Sequence, residues 1–442
     1  MKRFIPGEST RFILPVIAEN LFTAAVSLVY SSVTGAISAS ALAAVGVGNQ
    51  ALNLVATLFA MLSTGSAIIT ARRTGEGDAA GASRTVEQTL FLAPVLSVIA
   101  LLTLLASSTP AMKLLMPGAE GTFLREGTVY FRTLLLSLPA LVISNACAGV
   151  LRASGDSKNA LVGTVITNVV QLALLSAFTS KKPEMGVLAP GLATLLCRCA
   201  GGAYLLWAVL RQHRSFRVSL RRALTPDRAE IRHILSVGLP ACLDSFAVQL
   251  CYVVVNSLLV SLGKLEAGIV NVLNAVLIFT GVTQGMGSAI SMTLVGQSVG
   301  AGDIKRARKR MHRILLASEL VAFALCVPTL VIPDVCAGFF TKDADILRGA
   351  SEFMWIMFPY CFAAVGVNVC EPSARAGGSM LFTMAETVLC VWLIRLPLTY
   401  LLCIVLGKGV KGIYWANISA LSVRFALSFA KIHTKNWGTG KL

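Results

Sequence analysis

The chain has 442 residues, enough for three soluble domains, yet 55% are hydrophobic and only 13% are charged, about half the charged share of an ordinary soluble domain. With a mean hydropathy of +0.75 and apolar runs long enough to cross a bilayer, a string of soluble domains is excluded. The net charge of +17 would suggest nucleic acid on a soluble chain. Here the basic residues gather in particular loops, so they report topology and attraction to the lipid bilayer, and no nucleic-acid partner is expected.

Twelve apolar segments follow one another, near 12–37, 41–71, 88–108, 128–150, 159–179, 186–210, 231–262, 267–299, 312–332, 353–373, 380–406 and 411–433. They are too long and too little alternating for barrel strands, and in lipid the backbone must satisfy itself, which predicts an all-α polytopic membrane protein. Lys2, Arg3, Arg72, Arg73, the run Lys305-Arg306-Ala307-Arg308-Lys309-Arg310 and the C-terminal Lys431, Lys435 and Lys441 fall on one side if both termini are cytoplasmic. The first span is too long for a signal-peptide core. Expected, then, is a multi-pass protein of the plasma (cytoplasmic) membrane. The eleven cysteines lie in or beside apolar stretches without zinc-ligand spacing, and no metal site is expected.

The chain repeats. Leu14-Pro15 falls on Leu239-Pro240, an offset of 225, and at the same offset Asn49 falls on Asn274, Met61 on Met286, and Gly75-Glu76-Gly77-Asp78 on Gly300-Ala301-Gly302-Asp303. A weaker echo at 223 pairs Arg152 with Arg375 and Gly155 with Gly378. Two parallel six-helix halves around a central cavity follow, 1–210 and 231–442, joined by a basic cytoplasmic linker at 211–230.

Intramembrane acids are costly and mark ion pathways or buried pairs. Glu19 and Asp244 stand out because they are exact repeat partners, each four residues past a Leu-Pro. Glu19 lies about 10 Å into its helix at 1.5 Å per residue. Both are expected to couple transport to an ion, with Glu371 and Glu386 as a second tier. Asn20, Tyr30, Asn168, Gln249, Asn256 and Gln284 are polar groups able to line a substrate cavity, although bonding between helices is the commoner role of such groups. Arg395, nine residues past Glu386 and on another side of its helix, is expected to bond carbonyls or an acid elsewhere, while Arg198 has no reading. Gly75-x-Gly77 and Gly300-x-Gly302 lack a phosphate-loop ending and are expected to form tight turns.

Several motifs together resemble the multidrug and toxic compound extrusion (MATE) family of antiporters. They are the two Leu-Pro pairs, Ala41-Leu42-Ala43-Ala44-Val45-Gly46, Gly149-Val150-Leu151-Arg152-Ala153-Ser154-Gly155-Asp156-Ser157, Val295-Gly296-Gln297-Ser298-Val299-Gly300-Ala301-Gly302-Asp303 and Arg395-Leu396-Pro397-Leu398. The resemblance spans essentially the whole chain. It implies export of organic, often cationic, small molecules driven by an H+ or Na+ gradient, with no bound cofactor, by a protein expected to act as a monomer. Two departures stand out. Val29-Tyr30-Ser31-Ser32 occupies the place of an acidic stretch in helix 1, and Val248-Gln249 that of a helix 7 glutamate, so those members' ion sites do not carry over. The alternative is a lipid-linked precursor flippase of related architecture, which would favour more inward-facing basic residues. His213, His233, His312 and His433 lie in loops or at helix ends, and no His-Glu-x-x-His or ATP-binding motif is present, which argues against an enzyme or a primary pump.

Overall fold

The computed structural model describes residues 6–35, 39–115, 121–181, 185–211, 216–341 and 343–438. Among these every long element is a helix and none is a strand. Twelve long helices correspond to the twelve expected spans. In the first half they are α1 (Pro6–Gly35), α2 (Ala39–Glu76), α3 (Ala79–Ala106), α4 (Gly121–Leu136 continued by Leu138–Ala153), α5 (Ser157–Lys181) and α6 (Leu188–Leu210). The second half holds α7 (Arg228–Leu262), α8 (Lys264–Gly300), α9 (Ile304–Val331), α10 (Ala344–Phe353 and Met357–Ala376), α11 (Met380–Leu389 and on through Leu401–Val405) and α12 (Gly409–His433). Eight are apolar and long enough to cross a membrane unaided, and two bent pairs raise the number to 10 among the described residues. Lys2, Arg3, Lys441 and His213 lie outside the described residues, as do the side chains of Ala41 to Ala44.

The repeat is visible in local chemistry. Asp78 caps α3 by accepting the Gly81 N–H at 2.8 Å, and Asp303, its partner 225 residues on, caps α9 by accepting the Arg306 N–H at 2.8 Å. The turns before them need left-handed backbone, which Gly77 (φ +81°) and Gly302 (φ +75°) supply. Both glycine motifs are thus tight turns. In α4 the chain bends by 46° at Ser137, where Pro139 removes a backbone donor.

The chain forms two compact units, Met1–Cys242 and Leu243–Leu442, so the first turns of α7 belong with the N-terminal helices. Inside that unit α2 and α7 pack backbone to backbone. A Cβ on Gly65 would lie 2.6 Å from the Ile234 carbonyl oxygen, and one on Gly238 would overlap that of Met61. Between apolar helices in lipid, close packing of small residues replaces the hydrophobic drive that water supplies, so these glycines do the joining.

The stretch expected as a linker is fastened where it is described. Phe216 is buried among Ala82, Val86, Cys147 and Leu151. The N–H groups of Arg217 and Ser219 donate to Ser83 Oγ (2.9 Å) and Glu87 Oε1 (2.8 Å), and Gln88 Nε2 donates to the Thr225 carbonyl at 3.0 Å. Glu230 then closes the strap. Arg73 donates to both its oxygens (2.6 and 3.0 Å) and Thr85 Oγ1 donates at 2.8 Å. The second unit is tied off in a similar way, with Trp437 buried, Arg308 donating to the Ile432 and Thr434 carbonyls, and the Gly438 N–H donating to the Gly377 carbonyl at 3.2 Å.

Candidate functional site: an acid–arginine pair in each half

The two repeat-related acids each meet an arginine, and the arginines are the pair related by the 223 offset. In the N-terminal unit Arg152 Nη1 on α4 lies 2.8 Å from Glu19 Oε1 on α1, and Thr164 Oγ1 on α5 donates to the same oxygen at 2.9 Å. The other oxygen, Oε2, is buried without a partner. In the second unit Arg375 on α10 holds Asp244 on α7 through Nη2, and Asp244 Oδ1 is likewise buried and unpartnered. Each half therefore ties its first helix to its fourth by one ion pair.

Only the second unit elaborates this pair. Arg375 Nη2 also reaches Glu371 Oε2 at 3.3 Å, and Glu371 Oε1 accepts from Arg424 Nε (2.9 Å) and Nη2 (2.6 Å) on α12. Arg424 further donates to Thr387 Oγ1 at 2.8 Å. Glu386 on α11 accepts from Ser428 Oγ alone among the described residues, at 3.0 and 2.9 Å from its two oxygens, and is 3% exposed. Three carboxyls, those of Asp244, Glu371 and Glu386, share two guanidiniums, Arg375 and Arg424, and among the described residues Glu386 is the one of the three that forms no ion pair. At an offset of 223 the N-terminal unit has Ala148 for Glu371, Gly163 for Glu386, Gly201 for Arg424 and Leu205 for Ser428. The correspondence is structural as well, since a Cβ on Gly163 would meet Leu205 just as Glu386 meets Ser428. Extending the 223 offset beyond Gly378 is the sequence signal that reveals the cluster.

The expected cavity residues divide. Asn20 Nδ2 donates back to the Val16 carbonyl at 2.8 Å, and Tyr30 OH lies 3.4 Å from Tyr130 OH. Asn168 reaches Thr23 Oγ1 at 3.4 Å, and Asn368 donates to Gln284 Oε1 at 3.3 Å, so both link helices. Asn20, Thr23, Ser27 and Tyr30 fall at i, i+3, i+7 and i+10 on one partly exposed face of α1, and Gln249, Tyr252 and Asn256 do the same on α7. A polar stripe left open on a membrane helix belongs against water rather than lipid. A pocket of about 360 Å³ at the start of α7, lined by Arg228, Ile231, Arg232, Leu235, Ser236 and Leu239, contains none of these residues.

Arg395 departs from expectation. Among the described residues it meets neither an acid nor a carbonyl, stacks instead over the Tyr252 ring at 4.2 Å, and its Nε is buried without a partner. Arg198 donates to Ser137 Oγ at 2.8 Å. Glu319 on α9, whose Oε2 is buried and unpartnered, is an intramembrane acid that the acid-by-acid reading passed over. Among the described residues no group of three or more His, Cys, Asp or Glu is placed to hold a metal ion.

Apolar spans in two repeated halves, with ionisable pairs inside them, define a multi-pass membrane protein. The MatE family model matches residues 15–175 and 240–401, two copies starting 225 apart (240 − 15). The chain belongs to the MatE family, whose members are transporters and not enzymes. It is 24% identical to a probable multidrug resistance protein NorM of Thermotoga maritima over 98% of this chain and 93% of that one. It is 26% identical to a protein of the same name from Pseudomonas putida, over 94% and 91% of the two chains. A solved outward-facing conformation of a multidrug resistance MATE family transporter of the MOP superfamily has the same fold, with a TM-score of 0.89 at 19% identity over 96% and 94% of the chains.

Proposed function

We propose that the protein is a proton-coupled antiporter that exports organic compounds, cationic ones among them, across the plasma membrane by alternating access, acting as a monomer with both termini cytoplasmic. The observation that carries the coupling is the charge count around Glu386: three buried carboxyls against two guanidiniums. An unbalanced charge in a low-dielectric site is costly, and a proton on one carboxyl removes it. Glu386, with a single hydroxyl as partner, is the group that takes up and gives back that proton. Asp244 and Glu371 hold their arginines in register, and Glu19 with Arg152 forms the simpler pair of the other half.

A cationic substrate and a proton then compete for the same negative charge, which couples their movements in opposite directions. Sodium fits less well, because it needs a cage of several oxygens and Glu386 offers a carboxyl beside one hydroxyl. The flippase reading is not favoured, since the named relatives are multidrug resistance proteins.

The test uses purified protein in liposomes with a permanently charged fluorescent cation outside and protein-free vesicles as control. An acidic interior is expected to drive cation uptake as protons leave, and a sodium gradient alone is expected to do nothing. Uptake that follows sodium and ignores pH would contradict the proton assignment.

A further inference from the structure

Arg395 and Arg198, one in each half and both within spans, have no carboxylate against them among the described residues. Arg395 on α11 is 4% exposed, sits in a π-helical stretch (Cys390–Arg395), and has the face of Tyr252 against its guanidinium. Such π segments inside helices are frequent at functional positions. Around Arg395 are further hydroxyls. Tyr360 packs edge-on against Tyr414 at 6.2 Å, while Tyr414 OH donates to Asn274 Oδ1 at 3.2 Å. The N-terminal unit echoes this arrangement. Arg198 lies beside Tyr30 and Tyr130, and Tyr130 OH donates to Asn49 Oδ1 at 3.3 Å, Asn49 being the repeat partner of Asn274.

A guanidinium buried in a membrane without an anion is retained only where something else meets it. The aromatic face of Tyr252 meets part of that need. Its buried Nε still lacks an acceptor, and phenol hydroxyls beside it are donors suited to an anion. Tyr252 is 38% exposed and stands on the polar stripe of α7 between Gln249 and Asn256, so the cluster opens onto the face set against water.

We propose that Arg395, entered past Tyr252, is an anion subsite that takes the carboxylate of a transported zwitterionic compound. The assignment rests on the transport reading for its biological ligand, but the binding chemistry stands separately. Chloride offers the same charge, and the test separates the two.

Fluorescence anisotropy of purified full-length protein would follow rhodamine B, whose carboxylate is free at neutral pH, and its ethyl ester, the same cation with the carboxylate masked. Arg395→Met is expected to weaken rhodamine B at least about tenfold and leave the ester within about twofold, while Arg395→Lys keeps most of the preference. Benzoate is expected to displace rhodamine B from the unmodified protein and to spare the ester, a result that needs no variant to fold. Equal loss of both dyes in Arg395→Met, or no loss of either, would overturn the subsite. Protection against thermal unfolding by chloride but not by benzoate, without discrimination between the dyes, would overturn the substrate assignment in favour of a halide. Because these are binding measurements, they fail or succeed independently of whether a pH gradient drives transport.

Discussion

Replacing Glu230 with Gln is expected to loosen the strap that joins the start of α7 to the N-terminal helices. Glu230 is 7% exposed and accepts three hydrogen bonds, two from Arg73 and one from Thr85. Breaking a buried ion pair from one side costs about 3–5 kcal/mol. Arg73 retains 19% exposure of its side chain and keeps the Gly81 carbonyl at 2.8 Å, so solvent and that bond absorb part of the loss. A net loss of about 2 kcal/mol remains after that screening. For a unit of this size that lowers the unfolding midpoint by roughly 4–8 °C. Thermal melts of the detergent-solubilised protein, read by fluorescence-detected size exclusion, measure the shift. The double variant Arg73→Met, Glu230→Met is expected to recover most of it, because an apolar pair leaves no uncompensated charge. Trypsin should also reach Arg221 and Arg222 sooner in Glu230→Gln. A midpoint within about 1 °C of the unmodified protein would refute the reasoning, since a pair worth that little closes nothing.

Other perturbations act on the same contacts. Gly238→Ala is expected to lose at least about 1–3 kcal/mol in the same melts, because its Cβ would overlap the Met61 carbonyl and the backbones must part, and Gly238→Val, which adds two methyl groups at that contact, to abolish a monodisperse elution peak. Arg424→Met leaves Glu371 only its 3.3 Å contact with Arg375 and is expected to cost about 3 kcal/mol, with Glu371→Leu added to it restoring at least half of the midpoint lost. Trp437→Ala removes a side chain that is 1% exposed and is expected to cost about 3–5 kcal/mol, seen as an earlier melt of the second unit.

The twelve helices and their duplication were legible because lipid imposes long apolar runs, and because the turns at Gly77 and Gly302 demand the same residues twice. Glu19 and Asp244 were legible as repeat partners, and so were Arg152 and Arg375, but not that each acid meets an arginine. Those contacts join helices separated by 133 and 131 residues, and helical periodicity reports only neighbours three or four positions apart. The pairs also sit at different offsets, 225 and 223, so one ungapped alignment shows one or the other. The strap at 216–230 reads as a basic linker because its fastening comes largely from backbone N–H groups, which carry no sequence signature. Arg395 was expected to find carbonyls or an acid because buried charge usually does. Its stacking on Tyr252 is the exception, and exceptions of that kind concentrate at functional sites.

Proton release on substrate binding tests the central claim most directly. Purified protein in weakly buffered detergent solution would be mixed with a permanently charged organic cation near the pH at which the unmodified protein binds it best, and the pH change followed with an indicator dye. Competition at Glu386 predicts close to one proton released per cation bound, and none from Glu386→Gln. Release that persists undiminished in Glu386→Gln, or cation binding by the unmodified protein with no release at any pH, would contradict it.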